Sequence, residues 1–582
     1  MDHLKTDILI LGSGGAGLFA ALHARRAAPH ADITIAVKGL LGKCGCTRMV
    51  QGGYNVALAP EDSAERHFMD TIEGGRWLNH QELAWSLVTG AQSCVRELEN
   101  EIGCFFDRNP DGTVHQKAFA GQTFDRTVHK GDLTGIEIIN RLAEQVWSRD
   151  IRRLEDHRAV ALIPAADASG IAGVLMIDMR GGGFRLVRAR AVLLATGGGP
   201  TMYRYHTPSG DKSCDGMAMA LRAGLKLRDM EMVQFHPTGL LAGTGTRMTG
   251  TVLEEGLRGA GGYLLGGDGE RFMEKYDPRG ERATRDVVSR AMMREMLAGN
   301  VSPHGGLYIQ MRHLGPDRVR SQFRGMVARC ADCGFDLAEG RVEVVPTAHY
   351  MMGGVEFLPD CTTALPGLYA AGEDTGGVHG ANRLGGNGVA NSTVFGRIAG
   401  DVMGAAWNAS ASHRQPDRHV IDATVEACLA PLSRPAGDIN ALREGLYETM
   451  WDGAGILRNA GGLTRALDAL AALETQLDDC GIPGQDLAFN LSWHDWLNLK
   501  NLILVSQAIT HAALARENSR GAHYREDFPD SGELLASTYT RVDLANGSVN
   551  VSLAPVTFSR LKPGGSLLDE ATRDEFSEFQ AP

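Results

Sequence analysis

Residues 7–17 constrain this chain more than any other stretch. Asp7-Ile8-Leu9-Ile10-Leu11 is a short apolar run of strand character. It passes directly into Gly12-Ser13-Gly14-Gly15-Ala16-Gly17 and then into the helix-forming stretch Leu18–Ala28. Strand, Gly-x-Gly-x-x-Gly turn and helix, in that order, make a dinucleotide-binding fingerprint. Gly12 allows the tight turn, Gly14 lets backbone approach a pyrophosphate, and Gly17 packs helix on strand. Gly15 and Ala16 open the helix, whose free N–H groups and positive dipole end suit a diphosphate. A second apolar strand, Ile33–Val37, ends in Lys38, where many such folds carry an acid for the ribose. This segment therefore leaves the choice of dinucleotide open.

Two later stretches decide it. Ala191–Gly198 is an apolar strand that ends in the small residues Ala195, Thr196, Gly197 and Gly198, and Gly367–Glu373 is another that stops at Gly372 and Glu373. Both resemble the later strands of FAD-binding Rossmann domains, where the chain returns to the same flavin. The glycine-rich stretch Gly376–Gly388, with Gly386 and Asn387, is then expected to pass under the isoalloxazine and feed a helix near Asn391. FAD is the expected cofactor.

Several long motifs carry a wider resemblance: Arg48-Met49-Val50-Gln51-Gly52-Gly53, Asp215-Gly216-Met217, Gln234-Phe235-His236-Pro237-Thr238-Gly239, Pro346-Thr347-Ala348-His349-Tyr350-Met351-Met352-Gly353-Gly354, and His379-Gly380-Ala381-Asn382-Arg383-Leu384-Gly385-Gly386-Asn387. With these, the chain resembles the flavoprotein subunits of succinate dehydrogenase and fumarate reductase, with L-aspartate oxidase as a close relative. The resemblance runs from Gly12 to about Pro529. It implies an α/β fold: a Rossmann-like FAD domain (1–235 and 350–404), an inserted α+β capping domain (236–349), a C-terminal helical domain (405–527) and a terminal segment (528–582). Thr47, Gln51, Gly52, Gly53 and Asp215 join the cofactor set by the same comparison.

The implied reaction interconverts a saturated and an α,β-unsaturated carboxylic acid, by hydride transfer to or from flavin N5 and proton transfer through Arg285. Such chemistry needs a carboxylate anchor and a flat substrate clamped against the cofactor. By motif match, Arg285 occupies the proton-transferring position, and Glu255 and Arg258, three residues apart, match the relay that feeds it. His349 and Arg383 match the pair that grips one carboxylate, for which an arginine fork is well shaped. His236 matches the histidine that holds the other end, and His379 is expected to pack on the cofactor.

Two positions depart from the family. The histidine that carries covalent FAD in membrane-bound relatives falls, by counting back from Gly52, on Cys46. Histidyl-FAD is thereby excluded in that register, and FAD is expected to bind without a covalent link, although a cysteinyl link is chemically open. Loss of the histidyl link, which raises flavin potential, leans the chain toward reduction or toward a substrate more easily oxidised than succinate. At the second position Glu254 stands where a Thr or Ser hydroxyl usually meets a substrate carboxylate. An ionised Glu254 about 4 Å from that carboxylate would repel it by about 1–4 kcal/mol. Either Glu254 points away, with Thr249 or Thr251 in the hydroxyl's place, or the far end of the substrate is not an anion.

The remaining features bound partners and location. The 58 basic and 70 acidic residues leave a net charge of −12, which argues against sequence-independent nucleic-acid binding. No apolar run approaches a membrane span, and no secretory leader precedes the first strand. A cytoplasmic protein is expected, possibly held at the inner membrane through a partner. The ten cysteines lack a four-ligand cluster: Cys330-Ala331-Asp332-Cys333 stands alone and Cys44-Gly45-Cys46 lies in the flavin region, so no metal site is expected. Electrons must then be exchanged with an outside carrier, such as an iron–sulfur subunit. Two rival readings are an amino-acid oxidase of the aspartate oxidase kind and a flavin-bearing relay without turnover.

Overall fold

The computed structural model describes residues 1–409, 412–569 and 573. Five strands run parallel in the order 152–155, 33–37, 2–11, 184–194, 368–370. The antiparallel strands His157–Pro164 and Ile171–Asp178 extend the sheet from the first half of 184–194. Ile8–Leu11 is wholly buried, as parallel strands covered on both faces must be. The first strand begins at Asp2, earlier than its apolar run, because Asp2–Lys5 pair with Arg185–Arg188 along the backbone, with an Arg185–Asp2 ion pair at the end. Of the stretches expected to return to the cofactor, 191–198 lies beside the first strand and 367–373 beside 191–194, and all three run parallel to end at one edge.

Gly12 has φ +110°, and a Cβ there would lie 2.1 Å from the Ala195 carbonyl oxygen, so turn and neighbouring strand interlock only around glycine. The helix that follows, Gly15–Ala27, packs against the long helix Asn387–Ala409. Gly396, Gly400 and Gly404 repeat every fourth residue along the contact. Added Cβ atoms at these positions would lie 2.5 Å from Ala16 O, 2.4 Å from Ala20 O and 2.5 Å from Ala27 Cβ. This small-residue ridge lets two backbones approach closely and fixes where the long helix begins, at Asn387.

The inserted unit carries a four-stranded antiparallel sheet in the order Val233–Leu240, Arg341–Met351, Leu307–Gln310, Tyr263–Leu265. Its own core gathers Leu253, Phe272, Met292 and Met326. The expected limits 236 and 349 fall inside its two connecting strands. The helices Ile439–Gly453, Ala460–Asp479 and Leu491–Ala515 share one hydrophobic core with a face of the parallel sheet. A hairpin, Thr538–Ala545 with Ser548–Pro555, pairs with Leu227–Arg228. Of the expected terminal segment, residues 570–572 and 574–582 lie outside the described residues. No helix among the described residues is long and apolar enough to cross a membrane.

Overpacking the helix contact tests this arrangement. Gly400→Val is expected to lower stability by about 1–3 kcal/mol and to reduce the FAD retained on purification, as read by thermal unfolding and by the flavin-to-protein absorbance ratio.

Candidate active site

A cavity of about 630 Å³ runs from the fingerprint into the seam between the FAD domain and the inserted unit. Gly12, Gly14, Gly15 and Ala16 line its first part with Cys46, Thr47, Gln51, Gly52 and Gly53. Lys38, Ala195, Thr196, Gly197, Asp215, Glu373 and Gly386 complete that part. The Gly15 N–H donates to Thr47 Oγ1 at 3.2 Å, which holds the 46–49 turn against the helix N-terminus. Lys38 does not stand alone at the ribose end. Its Nζ is 2.8 Å from Asp215 Oδ2, and Asp215 also accepts from Arg158, Ser213 and Asn501. Burial pushes the Asp215 carboxyl up, but Lys38 and Arg158 outweigh it and hold the group well below the carboxylate range. An extended cavity with a helix N-terminus at one side and a fixed carboxylate at the ribose end fits FAD.

Two expected cofactor residues lie one layer behind. Gly17 packs on Gly12, where a Cβ would lie 2.0 Å from the carbonyl oxygen. Asn387 bonds Asn55, His67 and Thr71 and braces the 376–388 loop without lining the cavity. His379, too, lies off the lining and meets the Tyr350 hydroxyl at 3.3 Å.

Beyond the fingerprint the lining becomes cationic. Arg285, the first residue of helix Arg285–Leu297, places Nε and Nη2 at 3.1 and 2.5 Å from Glu255 Oε2. The other oxygen of Glu255 accepts from Arg258 Nη2 at 3.1 Å. Burial pushes the Glu255 carboxyl up, yet Arg285 and Arg258 prevail and hold it below its ordinary value. Arg258 lies behind Glu255, off the cavity wall, with Nη1 on Glu281 O. Gln234, quoted in a motif but given no role, accepts from Arg285 Nη1 at 2.9 Å and donates to Arg383 O at 2.7 Å. It ties the two guanidinium-bearing segments together.

Arg383 is buried over the Tyr350 ring, 4.5 Å from its centroid, and its Nε has no partner among the described residues. Burial, reinforced by Arg285, brings its pKa down to about 10. The rings of His236 and His349 lie 5.4 Å apart. Burial first, then Arg285, keeps both imidazoles neutral, well below their ordinary range. His236 Nδ1 accepts from the Thr238 N–H at 3.3 Å, and His349 Nδ1 meets Thr207 Oγ1 at 2.8 Å. The backbone donor at Nδ1 leaves the neutral His236 ring with its hydrogen on Nε2, whereas the Thr207 hydroxyl can donate to or accept from His349 Nδ1. No sequence signal singled out Thr207, which lies far from its partner along the chain.

Glu254 corrects its expectation. Its carboxylate is buried, paired with Lys117 Nζ and absent from the cavity lining. The loop turns it outward because an ammonium is available there, which removes the reason for a non-anionic substrate end. Cys46 does line the cavity, but burial, with Glu373 nearby, pushes its thiol up to about 12. A thiol of that kind is a poor nucleophile.

This is the build of an FAD-dependent oxidoreductase: a parallel sheet ending in a dinucleotide fingerprint, and a cavity that continues into buried guanidinium and imidazole groups. A family described as FAD binding domain matches residues 7–389, and one described as fumarate reductase flavoprotein C-term matches 443–566. A fumarate reductase (CoM/CoB) subunit of Methanothermobacter marburgensis is 41% identical over 532 residues, covering 90% of this chain and 95% of that protein. The fumarate reductase flavoprotein subunit of Escherichia coli is 34% identical over 588 residues, covering 97% and 96%. A solved structure of a variant FrdA from E. coli quinol fumarate reductase superposes with TM-score 0.91 at 31% identity, over 97% of this chain and 99% of that one. The chain belongs to the fumarate reductase and succinate dehydrogenase flavoprotein family, oxidoreductases that act on CH–CH bonds with FAD.

Two outcomes are expected of the cofactor end. Acid precipitation should release all FAD into the supernatant, since position 46 offers no imidazole and no thiolate. The Glu373 carboxyl, pushed up to about 7 by burial, is neutral below that pH and anionic above it. FAD affinity of the apoprotein, measured by fluorescence quenching, should therefore fall as pH rises through 7, by up to about tenfold per unit, and Glu373→Gln should flatten the profile.

Proposed function

We propose that the protein reduces an α,β-unsaturated C4 dicarboxylate of the fumarate type to the saturated acid, with Arg285 as proton donor. The observation that carries this reading is the buried file Arg285–Glu255–Arg258, which opens on the same cavity wall as His236, His349 and Arg383. Arg383 and His349 hold one carboxylate through charge-assisted N–H bonds, and His236 takes the other. His236 donates from Nε2. Arg285 stabilises charge developing on the substrate and gives a proton to one carbon, and Glu255 with Arg258 restores that proton. Gly12, Gly14, Gly15, Ala16, Thr47, Gln51, Gly52, Gly53, Lys38, Asp215 and Glu373 hold FAD, which when bound supplies the hydride.

The seam location supports closure of the inserted unit over the substrate, which excludes water from the reacting atoms. The absence of a histidine at 46 favours the reducing direction. Relatives named as subunits support a partner that delivers electrons, for which an iron–sulfur protein is the fitting class. That partner would also place a cytoplasmic chain at the membrane. A substrate with a cationic far end loses support with Glu254, because that carboxylate faces Lys117.

Anaerobic assay with a chemically reduced viologen dye and fumarate tests the assignment. Arg285→Gln is expected to cut turnover by about 10²–10⁴-fold while FAD content stays at the wild-type level. Undiminished turnover in that variant would refute the role given to Arg285.

A further inference from the structure

The cavity end beside His236 is bounded by the loop 248–255, and its hydrogen-bond donors can be followed one by one. Thr249 gives its hydroxyl proton to Gly243 O at 2.6 Å, and Thr251 gives its own to Met248 O at 2.7 Å. Gln51 spends Nε2 on Val252 O at 3.2 Å. Lys117 is committed to Glu254. Neither hydroxyl that might replace the family's Thr or Ser has a proton to offer an anion.

Gln51 keeps one further amide N–H, and Arg329 offers more unspent donors than any of these groups. Arg329 stands on helix Arg324–Asp332 of the inserted unit, half-buried, and lines the cavity with Met248, Thr251 and Val252. Its one hydrogen bond among the described residues runs from Nη1 to Val252 O at 3.0 Å, and no carboxylate there pairs with it. A guanidinium has five N–H donors, so four are unspent. The carbonyl it touches is joined to the substrate end of the site by a short path. Leu253 N–H donates to Thr238 O at 2.8 Å, Thr238 Oγ1 to Leu253 O at 2.9 Å, and the Thr238 N–H to His236.

We propose that Arg329 is a specificity-determining residue that takes the second carboxylate of the substrate, in place of the hydroxyl this loop does not supply. The inference rests on the roles given above to His349, Arg383 and Arg285. It makes the site selective for a dianion over an acid whose far end is neutral. Because Arg329 belongs to the inserted unit while Arg383 belongs to the FAD domain, a dianion held by both also draws the two together. An arginine fork at this end suits a carboxylate better than a lysine would, since it fixes plane as well as position.

The test compares fumarate with its monoamide on the FAD-loaded full chain. Binding is read from the substrate-induced change in the flavin absorption band, and turnover from reduced-viologen oxidation. Arg329→Met is expected to raise the fumarate KM and Kd by about 10- to 100-fold, leave kcat within about threefold, and leave the monoamide unchanged. Arg329→Lys keeps the charge and should stay within about tenfold of wild type for fumarate. An unchanged fumarate KM in Arg329→Met, or equal weakening of both acids, overturns the inference and leaves Arg329 as a tie between helix and loop. A wild-type chain that binds neither acid overturns the proposed function itself, and this inference with it, whatever residue stands at 329.

Discussion

A single carboxylate, Glu255, makes the site possible. Placing Arg285 and Arg258 in a dry interior would carry a desolvation cost of several kcal/mol per ion without a countercharge. Glu255 supplies that countercharge to both, one oxygen to each. It stands on the loop 248–255, whose path is held by the Leu253 N–H on Thr238 O and the Thr238 hydroxyl on Leu253 O. Three buried guanidinium groups, at 258, 285 and 383, thus gather around one buried carboxylate, and the cavity is left with a surplus of positive charge. Burial first, and that surplus after it, keeps His236 and His349 neutral, so the imidazoles act as hydrogen donors and add no further charge. A dianionic ligand answers that surplus, which is why the proposed substrate class follows from the electrostatics as much as from the relatives.

The site exists only at a junction. Arg383 arrives on the loop 376–388 of the FAD domain, His236 and His349 on the two strands that enter and leave the inserted unit, and Arg285 on a helix within it. Gln234 spans these pieces, bonding Arg285 on one side and the Arg383 backbone on the other. The small-residue ridge Gly396–Gly400–Gly404 acts at a distance on the same geometry, because it seats the long helix whose start, at Asn387, closes the 376–388 loop. One rigid element therefore serves the cofactor end and the substrate end together.

Much of this was legible before any coordinates. The fingerprint required Gly12 for a turn with positive φ, and the strand 33–37 and the stretches 191–198 and 367–373 showed as apolar runs because parallel strands are buried on both faces. The motif matches brought Arg285, Glu255, His236, His349 and Arg383 to one wall. Less was legible where the signal was a distant pairing. Thr207 meets His349 from a remote part of the chain, and its neighbours give no reason to single it out. Which way Glu254 points was not legible, because its partner, Lys117, lies much earlier in the chain on another element. Arg329 gave no signal at all, being one arginine among many on an ordinary amphipathic helix.

The sequence by itself determined the nucleotide fold, the cofactor and the set of side chains able to do the chemistry. These depend on local spacing: glycines at a turn, apolar runs in strands, and short motifs that carry their residues with them. Only the tertiary structure decided which way Glu254 points, which tautomer His236 holds, and which donors are still free to meet an anion. Those outcomes depend on what lies across the gap between elements. A side chain's hydrogen-bonding capacity is finite, and a single long-range partner is enough to commit it or leave it open.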